Sequence, residues 1–138
     1  MKHPDYNSPL ALKAFLDENG MAMQKKFGQN FLVNADARKK IVDFLDLSEG
    51  CSVWEVGPGL GCMTDEILRR GAKVTAFEID HGFARLLRKF FEEYSQKNSF
   101  ELVLFPLLFR ALFQKLFLSF FLSLFDDLSL ILFLSLFL

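Results

Sequence analysis

The sequence predicts an α/β fold, the start of a parallel, doubly wound, Rossmann-like sheet that is left incomplete. Three observations predict it. A run rich in β-formers, 51–56, breaks into glycines at alternate positions, Gly57, Gly59 and Gly61, and re-emerges at helical spacing through Met63, Ile67 and Leu68. A second strand run, 73–79, carries an acid near its end, Glu78, which lies 21 residues beyond Gly57. A third strand begins at 99–103 after an amphipathic stretch long enough to cross between parallel strands. The chain divides accordingly into residues 1–33, an N-terminal helix and lid segment; 34–103, a partial ligand-binding domain; and 104–138, a low-complexity tail of Leu, Phe and Ser.

The glycines have a physical role. With no Cβ, they let the backbone turn sharply at the carboxyl end of a strand and let a ligand lie against the main chain. In folds of this type an acid about 20 residues further on, at the tip of the next strand, accepts hydrogen bonds from a ribose diol. The bland alternative is a structural βα turn, which needs neither three glycines nor a matched acid. Spacing separates ligand classes, because dinucleotide folds place two residues between the last two glycines. Here Gly57, Gly59 and Gly61 follow Glu55 and resemble the E-x-G-x-G-x-G loop of class I S-adenosylmethionine methyltransferases. That resemblance implies S-adenosylmethionine as the cofactor.

Composition bounds the function classes. The net charge of −1 over 138 residues gives no global argument for nucleic acid, although basic groups cluster at Lys25-Lys26, Arg38-Lys39-Lys40, Arg69-Arg70 and Arg85, Arg88 and Lys89. Such clusters are more often solvated helix faces than phosphate contacts. Cys51 and Cys62 form no C-x-x-C, and His3 and His81 make no metal-ligand spacing with them, so a reducing compartment and no metal are expected. No apolar N-terminal run suits a signal peptide, which points to the cytoplasm unless the tail is an anchor.

Taken in order, Ser8-Pro9 caps a peripheral helix that carries Leu10, Leu12, Phe15 and Leu16 and stops at Gly20. Residues 25–32 interrupt the helical period; they read as a loop anchored by phenylalanines or as a lid, with Asn30 supplying a hydrogen bond and Leu32 apolar cover. Asn34 is an N-cap for a helix with Ile41, Val42, Phe44 and Leu45 inward, ending near residues 48–50. The helix after the glycines runs to about Arg70 and stops at Gly71. Asp80 caps the next, from Gly82 to about Glu93, with Phe83, Leu86, Leu87 and Phe90 buried and His81 on the surface.

The string Lys25-Lys26-Phe27-Gly28-Gln29-Asn30-Phe31-Leu32, followed by Glu55-Val56-Gly57-Pro58-Gly59-Leu60-Gly61 and then Phe77-Glu78-Ile79-Asp80, resembles the KsgA-type small-subunit rRNA adenine dimethyltransferases. The resistance methyltransferases of large-subunit rRNA share much of this pattern and are a near alternative. The resemblance covers about residues 10–103. It implies methyl transfer to N6 of adenines in small-subunit rRNA, with the small ribosomal subunit as partner. It also implies a cofactor site of Asn30, Leu32, Gly57, Gly59, Gly61 and Glu78. In those relatives the third strand leads to a Gly-Asp pair and the fourth to an Asn-Leu-Pro-Tyr-like motif that holds the target base. This chain has no glycine after Gly82, no asparagine after Asn98 and no tyrosine after Tyr94, so no catalytic residue is assigned.

The tail has three readings. A membrane segment would carry Arg110, Gln114 and Lys115 in its first half, or Asp126 and Asp127 at its centre, where each charge costs about 2.5–3.5 kcal/mol. A buried helix would align Phe105, Phe109, Phe113 and Phe117, yet the other faces are equally apolar. A frameshift into pyrimidine-rich codons would yield Leu, Phe and Ser without selection for structure, and this reading is preferred, with the membrane segment next. The tail is thus expected to be irregular or helical, poorly soluble, and part of a truncated or frameshifted, inactive product. The alternatives are a non-catalytic cofactor- or RNA-binding fragment and a membrane-tethered product.

Overall fold

The computed structural model describes residues 1–21, 31–104 and 130–133. Helix α1, Pro9–Glu18, starts where Ser8 accepts from Ala11 N at 3.2 Å and Pro9 takes the first turn, which needs no N–H. Leu12 and Leu16 sink into the main core, while Leu10 points to solvent. Helix α2, Ala35–Asp43, is capped by Asn34, whose Oδ1 accepts from Ala37 N at 2.9 Å. Its inward face holds Val42, with Ile41 and Leu45 half-buried. The inward expectation for Phe44 fails, because its side chain is 88% exposed. The helix ends before Phe44, and tight bonds from Leu45 N to Val42 O and from Asp46 N to Asp43 O bend the chain, with Asp46 left-handed at φ 45°. Val42 and Leu45, three apart, stay on one side, and Phe44 falls on the other.

Among the described residues four parallel strands form one sheet: β1 Ser52–Val56, β2 Lys73–Glu78, β3 Phe100–Leu104 and β4 Leu130–Phe133, in the order β3-β2-β1-β4. Between β1 and β2 runs α3, Cys62–Leu68; between β2 and β3 run α4, His81–Phe90, and the short α5, Glu92–Gln96. Strand and helix side chains meet in one core that joins Val53, Val74, Ala76 and Phe100 to Ile67, Leu86, Leu87 and Phe91. Asp80 caps α4 as expected, its Oδ1 accepting from Gly82 N at 2.7 Å and Phe83 N at 3.1 Å. The buried stripe Phe83, Leu86, Leu87 and Phe90 and the exposed His81 also agree with the pattern. The helix does not run unbroken to Glu93. It breaks at Phe91, whose fully buried ring packs 4.9 Å from Phe100, and α5 closes through Asn98 at φ 55°.

Residues 130–133 of the tail form a strand, where an irregular or helical chain was expected. They pair with β1 from Val53↔Leu130 to Val56↔Phe133, giving four strands rather than three. Leu-Ile-Leu-Phe is the unbroken apolar run of a strand inside a parallel sheet, and four residues are too few for periodicity to separate strand from helix. The Phe105–Phe117 stripe and the membrane window that carries Arg110, Gln114 and Lys115 lie outside the described residues, and the window centred near Asp126 and Asp127 lies outside them except at 130–133, which are strand. Among the described residues no helix is long and apolar enough to cross a membrane. The order 3-2-1-4 reverses direction at β1, and in open sheets of this kind ligands bind beyond the carboxyl ends of the strands at that switch.

Candidate functional site

The glycine loop leaves β1 at this switch. Gly57 N donates to Phe77 O at 2.9 Å, carrying the ladder one step past the strand, and Gly61 N donates back to Pro58 O at 2.8 Å. The glycines divide the work. At Gly61, φ 81°, an added Cβ would lie 2.6 Å from Phe91 Cε2 and 2.9 Å from Leu87 Cδ2, so this position serves close packing on α4 and the start of α3. At Gly59, φ 58°, an added Cβ would meet, among the described residues, only the Phe31 ring at 3.6 Å. The middle of the loop is therefore the open face, where a ligand can approach the main chain.

Glu78 reaches that face. Its Oε1 accepts from Ile79 N at 2.8 Å and Asp80 N at 2.9 Å, and its Oε2 accepts from Gly59 N at 3.2 Å. The loop and the acid predicted to work together are thus joined directly. Burial raises the Glu78 carboxyl above the ordinary glutamate range, and the three amides oppose that shift by favouring the charged form. A carboxylate has about four lone-pair sites, and the donors among the described residues take three, so one on Oε2 is left for a hydroxyl.

Leu32 is half-buried against the core, and its carbonyl accepts from Arg38 Nη1 at 2.6 Å. Beside it, Phe31 meets Phe83 edge-on at 6.2 Å and faces Gly59. On the other side Met21 packs against Gly82 at the start of α4, its Cε 2.8 Å from an added Cβ. Asn30, with most of the expected lid, lies outside the described residues.

Three residues of the neighbourhood were given no role at the site from the sequence: Glu55 was named only as part of the loop motif, Cys62 only as a cysteine without a metal-ligand spacing, and Tyr6 not at all. Glu55, at the end of β1, is fully buried, and its Oε2 accepts from Thr64 Oγ1 at 2.6 Å. Burial, reinforced by the charge of Glu78 and opposed by the Thr64 bond, pushes Glu55 up to about 7. The signal available was an acid at a core-facing strand position with a hydroxyl nine residues later. Tyr6 donates to the Leu60 carbonyl inside the glycine loop at 2.9 Å, a contact across 54 residues that no local pattern announces. Cys62, half-buried at the start of α3, is pushed up to about 11 chiefly by that burial and then by Glu55, so its thiol is a protonated packing group.

The basic clusters resolve unevenly. Arg38 is turned inward, donating to Leu32 O and to Asn7 Oδ1 at 2.5 Å. Arg70 is committed to Asp43 at 2.9 Å and Glu66 at 3.2 Å, and Arg69 to Asp65 at 3.0 Å. Lys39, Lys40, Arg85, Arg88 and Lys89 are exposed. Among the described residues no group of three His, Cys, Asp or Glu is placed to hold a metal.

Residues 20–101 match the family model described as ribosomal RNA adenine dimethylase. The ribosomal RNA small subunit methyltransferase A of Treponema denticola is 55% identical over 95 residues, covering 69% of this chain and 32% of the relative. The protein of the same name from Borrelia garinii subsp. bavariensis is 40% identical over 99 residues, covering 72% and 34%. The chain therefore spans about a third of the length of these curated relatives. Among solved structures, PH1948 of Pyrococcus horikoshii superposes with a TM-score of 0.52 at 22% identity over 62% of this chain and 43% of that one, a likeness of fold.

Proposed function

The chain belongs to the ribosomal RNA adenine dimethylase family, and we propose that its described part is the S-adenosylmethionine-binding half of such an enzyme. The observation that carries this reading is the 3.2 Å bond between Gly59 N and Glu78 Oε2. It brings an open stretch of backbone and an acid with one acceptor site left to the same mouth, where the strand order reverses. Glu78 would take a ribose hydroxyl on Oε2, with the diol's second hydroxyl sharing the carboxylate with the amides. Gly57 and Gly59 would bare the main chain to the ligand, Gly61 would keep the loop close to α4, and Asn30 and Leu32 would complete the site. In functional terms, residues 1–33 supply a helix and lid, 34–103 the cofactor domain and 104–138 the apolar tail.

S-adenosylmethionine supplies an electrophilic methyl group, and the protein's share of the work is alignment. An exocyclic adenine amine donates its lone pair into the ring and is a poor nucleophile, so the base must be extruded and N6 held in line with the methyl. The substrate class proposed is adenine in rRNA of the small ribosomal subunit, met in the cytoplasm. The base-holding motif has no counterpart in these 138 residues. We therefore propose that this chain binds the cofactor but does not turn over by itself, and that a frameshift explains the composition after Val103. DNA beyond that codon would then encode Gly-Asp and Asn-Leu-Pro-Tyr-like strings in another frame.

Calorimetric titration of the full chain with S-adenosylmethionine tests the site. Glu78→Ala is expected to weaken binding roughly 10- to 150-fold, as loss of a hydrogen bond to a charged group does. Gly57→Val, which forces a branched side chain to φ 70°, is expected to abolish it. Equal binding by wild type and both variants would sink the assignment. Transfer of labelled methyl to unmethylated small subunits, lost in Glu78→Ala, would refute the inactivity.

A further inference from the structure

We propose that Tyr6 is a positioning residue for the cofactor loop, acting through the Leu60 carbonyl; the inference rests on the cofactor reading above. Leu60 lies between Gly59 and Gly61, both at positive φ. The Leu60–Gly61 peptide turns over through φ of Gly61, where glycine tolerates either sign, so side-chain sterics on that side do little to stop it. Its two polar ends are fixed instead by partners. The Gly61 N–H is held by Pro58 O at 2.8 Å, and the Leu60 carbonyl is held from outside the loop by Tyr6 Oη at 2.9 Å.

Tyr6 is itself held. His3 Nδ1 lies 2.9 Å from Tyr6 Oη, and the His3 ring stacks on Phe90 at 4.7 Å and meets Phe91 edge-on at 5.1 Å. A carbonyl can only accept, so the Tyr6 proton goes to Leu60 O; His3 Nδ1 bonds the phenol oxygen in the form that carries its proton there, and Nε2 lies 3.4 Å from the Phe90 carbonyl, another acceptor. Phe91 is also the ring against which Gly61 packs. The N-terminal segment and α4 therefore grip the same peptide from both ends. Burial, reinforced by Asp65, Cys62 and Glu55, raises the phenol far above its ordinary range, which keeps Tyr6 a donor throughout the neutral range. An open loop face at Gly59 is useful to a ligand only if the neighbouring peptide keeps one orientation.

Titration of the full chain with S-adenosylhomocysteine, at a temperature where each variant is folded, tests this. Tyr6→Phe keeps the ring and its packing, and it is expected to lose roughly tenfold in affinity. Leu16→Ala, a core truncation in α1, is expected to bind like wild type even though it is less stable. If Tyr6→Phe does not fold, His3→Phe carries the test: it keeps an aromatic ring against Phe90 and removes the donor to Tyr6, with an expected loss of roughly threefold. Wild-type affinity in the folded phenylalanine variant overturns the proposal, as does an equal loss in Leu16→Ala. A wild-type chain that does not bind overturns the cofactor reading and this inference with it.

Discussion

Two glutamates lie at the carboxyl ends of neighbouring strands, and the fold treats them differently. Glu55 pairs in register with Ala76, two positions before Glu78, so both acids project from one face of the sheet. Both are almost fully buried. Glu78 sits where the chain turns from β2 into α4 and collects three backbone N–H bonds. Glu55 sits under the glycine loop and has Thr64 as its partner, through the hydroxyl and the backbone N–H. Burial pushes both carboxyls up, and Glu55 reaches about 7. Depth alone does not decide how a buried acid behaves; the donors aimed at it do. One strand end carries an acid held by three main-chain donors, and its neighbour carries an acid held by Thr64 alone among the described residues and pushed up to about 7.

The largest expected effect comes from removing the Glu55 charge. A carboxyl whose folded pKa is raised, here from 4.5 to about 7, binds its proton more tightly in the folded chain. Its contribution to stability is full below about pH 4.5 and is lost as pH rises through about 7. The loss is on the order of 3 kcal/mol. Glu55→Gln keeps an oxygen for the Thr64 hydroxyl and cannot ionise, so it should remove this slope and equal or exceed wild type at pH 8. Urea unfolding followed by Trp54 fluorescence at pH 4.5, 6 and 8 measures it. Parallel wild-type and Glu55→Gln profiles would show that the two acids do not differ in this way.

The same substitution at the neighbouring acid should have the opposite sign. In Glu78→Gln one carboxylate oxygen becomes an NH2 group. On one side it would face Ile79 N and Asp80 N, and on the other Gly59 N, so a donor meets donors either way. The expected cost is about 2 kcal/mol at pH 8, where Glu55→Gln costs nothing. If both variants were neutral, the three amides around Glu78 would be incidental.

How much of this was legible depends on the reach of each interaction. The glycine loop, the Asn34 and Asp80 caps and the placing of Glu78 at a strand end are written within a few residues, and they appear where the spacing puts them. The bond from Glu78 to Gly59 follows from two such local signals brought together by parallel pairing. Arg38 looked like one of three surface cations because nothing local shows that Asn7 and Leu32 O wait on its inner side. Phe44 looked like a core residue because the helix was read past its end, and the turn at Asp46 carries no glycine to announce it. Strand β4 was hidden in a tail whose composition has no period, and only pairing with β1 singles out residues 130–133. The Tyr6 contact was illegible for the same reason of distance.

The smallest expected effect tests why Glu55 stops near neutrality. Thr64 is fully buried in the first turn of α3, and it aims two donors at Glu55, its hydroxyl at 2.6 Å and its backbone N–H. Thr64→Val keeps the branched shape and replaces the hydroxyl with a methyl group. A hydrogen bond to a neutral carboxyl contributes about 0.5–1.5 kcal/mol, and one to a carboxylate about 1.5–3 kcal/mol. The variant should therefore cost more at pH 8 than at pH 5, by about 1 kcal/mol. The difference cannot grow much larger, because the Thr64 backbone N–H remains, and a carboxylate that loses its hydroxyl donor retains its proton to a higher pH instead of staying charged and less well paired. The falling part of the stability profile should accordingly move to higher pH in Thr64→Val and vanish when Glu55→Gln is added. Equal costs at both pH values, with the profile unmoved, would mean that the Thr64 hydroxyl does not favour the charged form, and the contrast with Glu78 would then need a cause other than the count of donors.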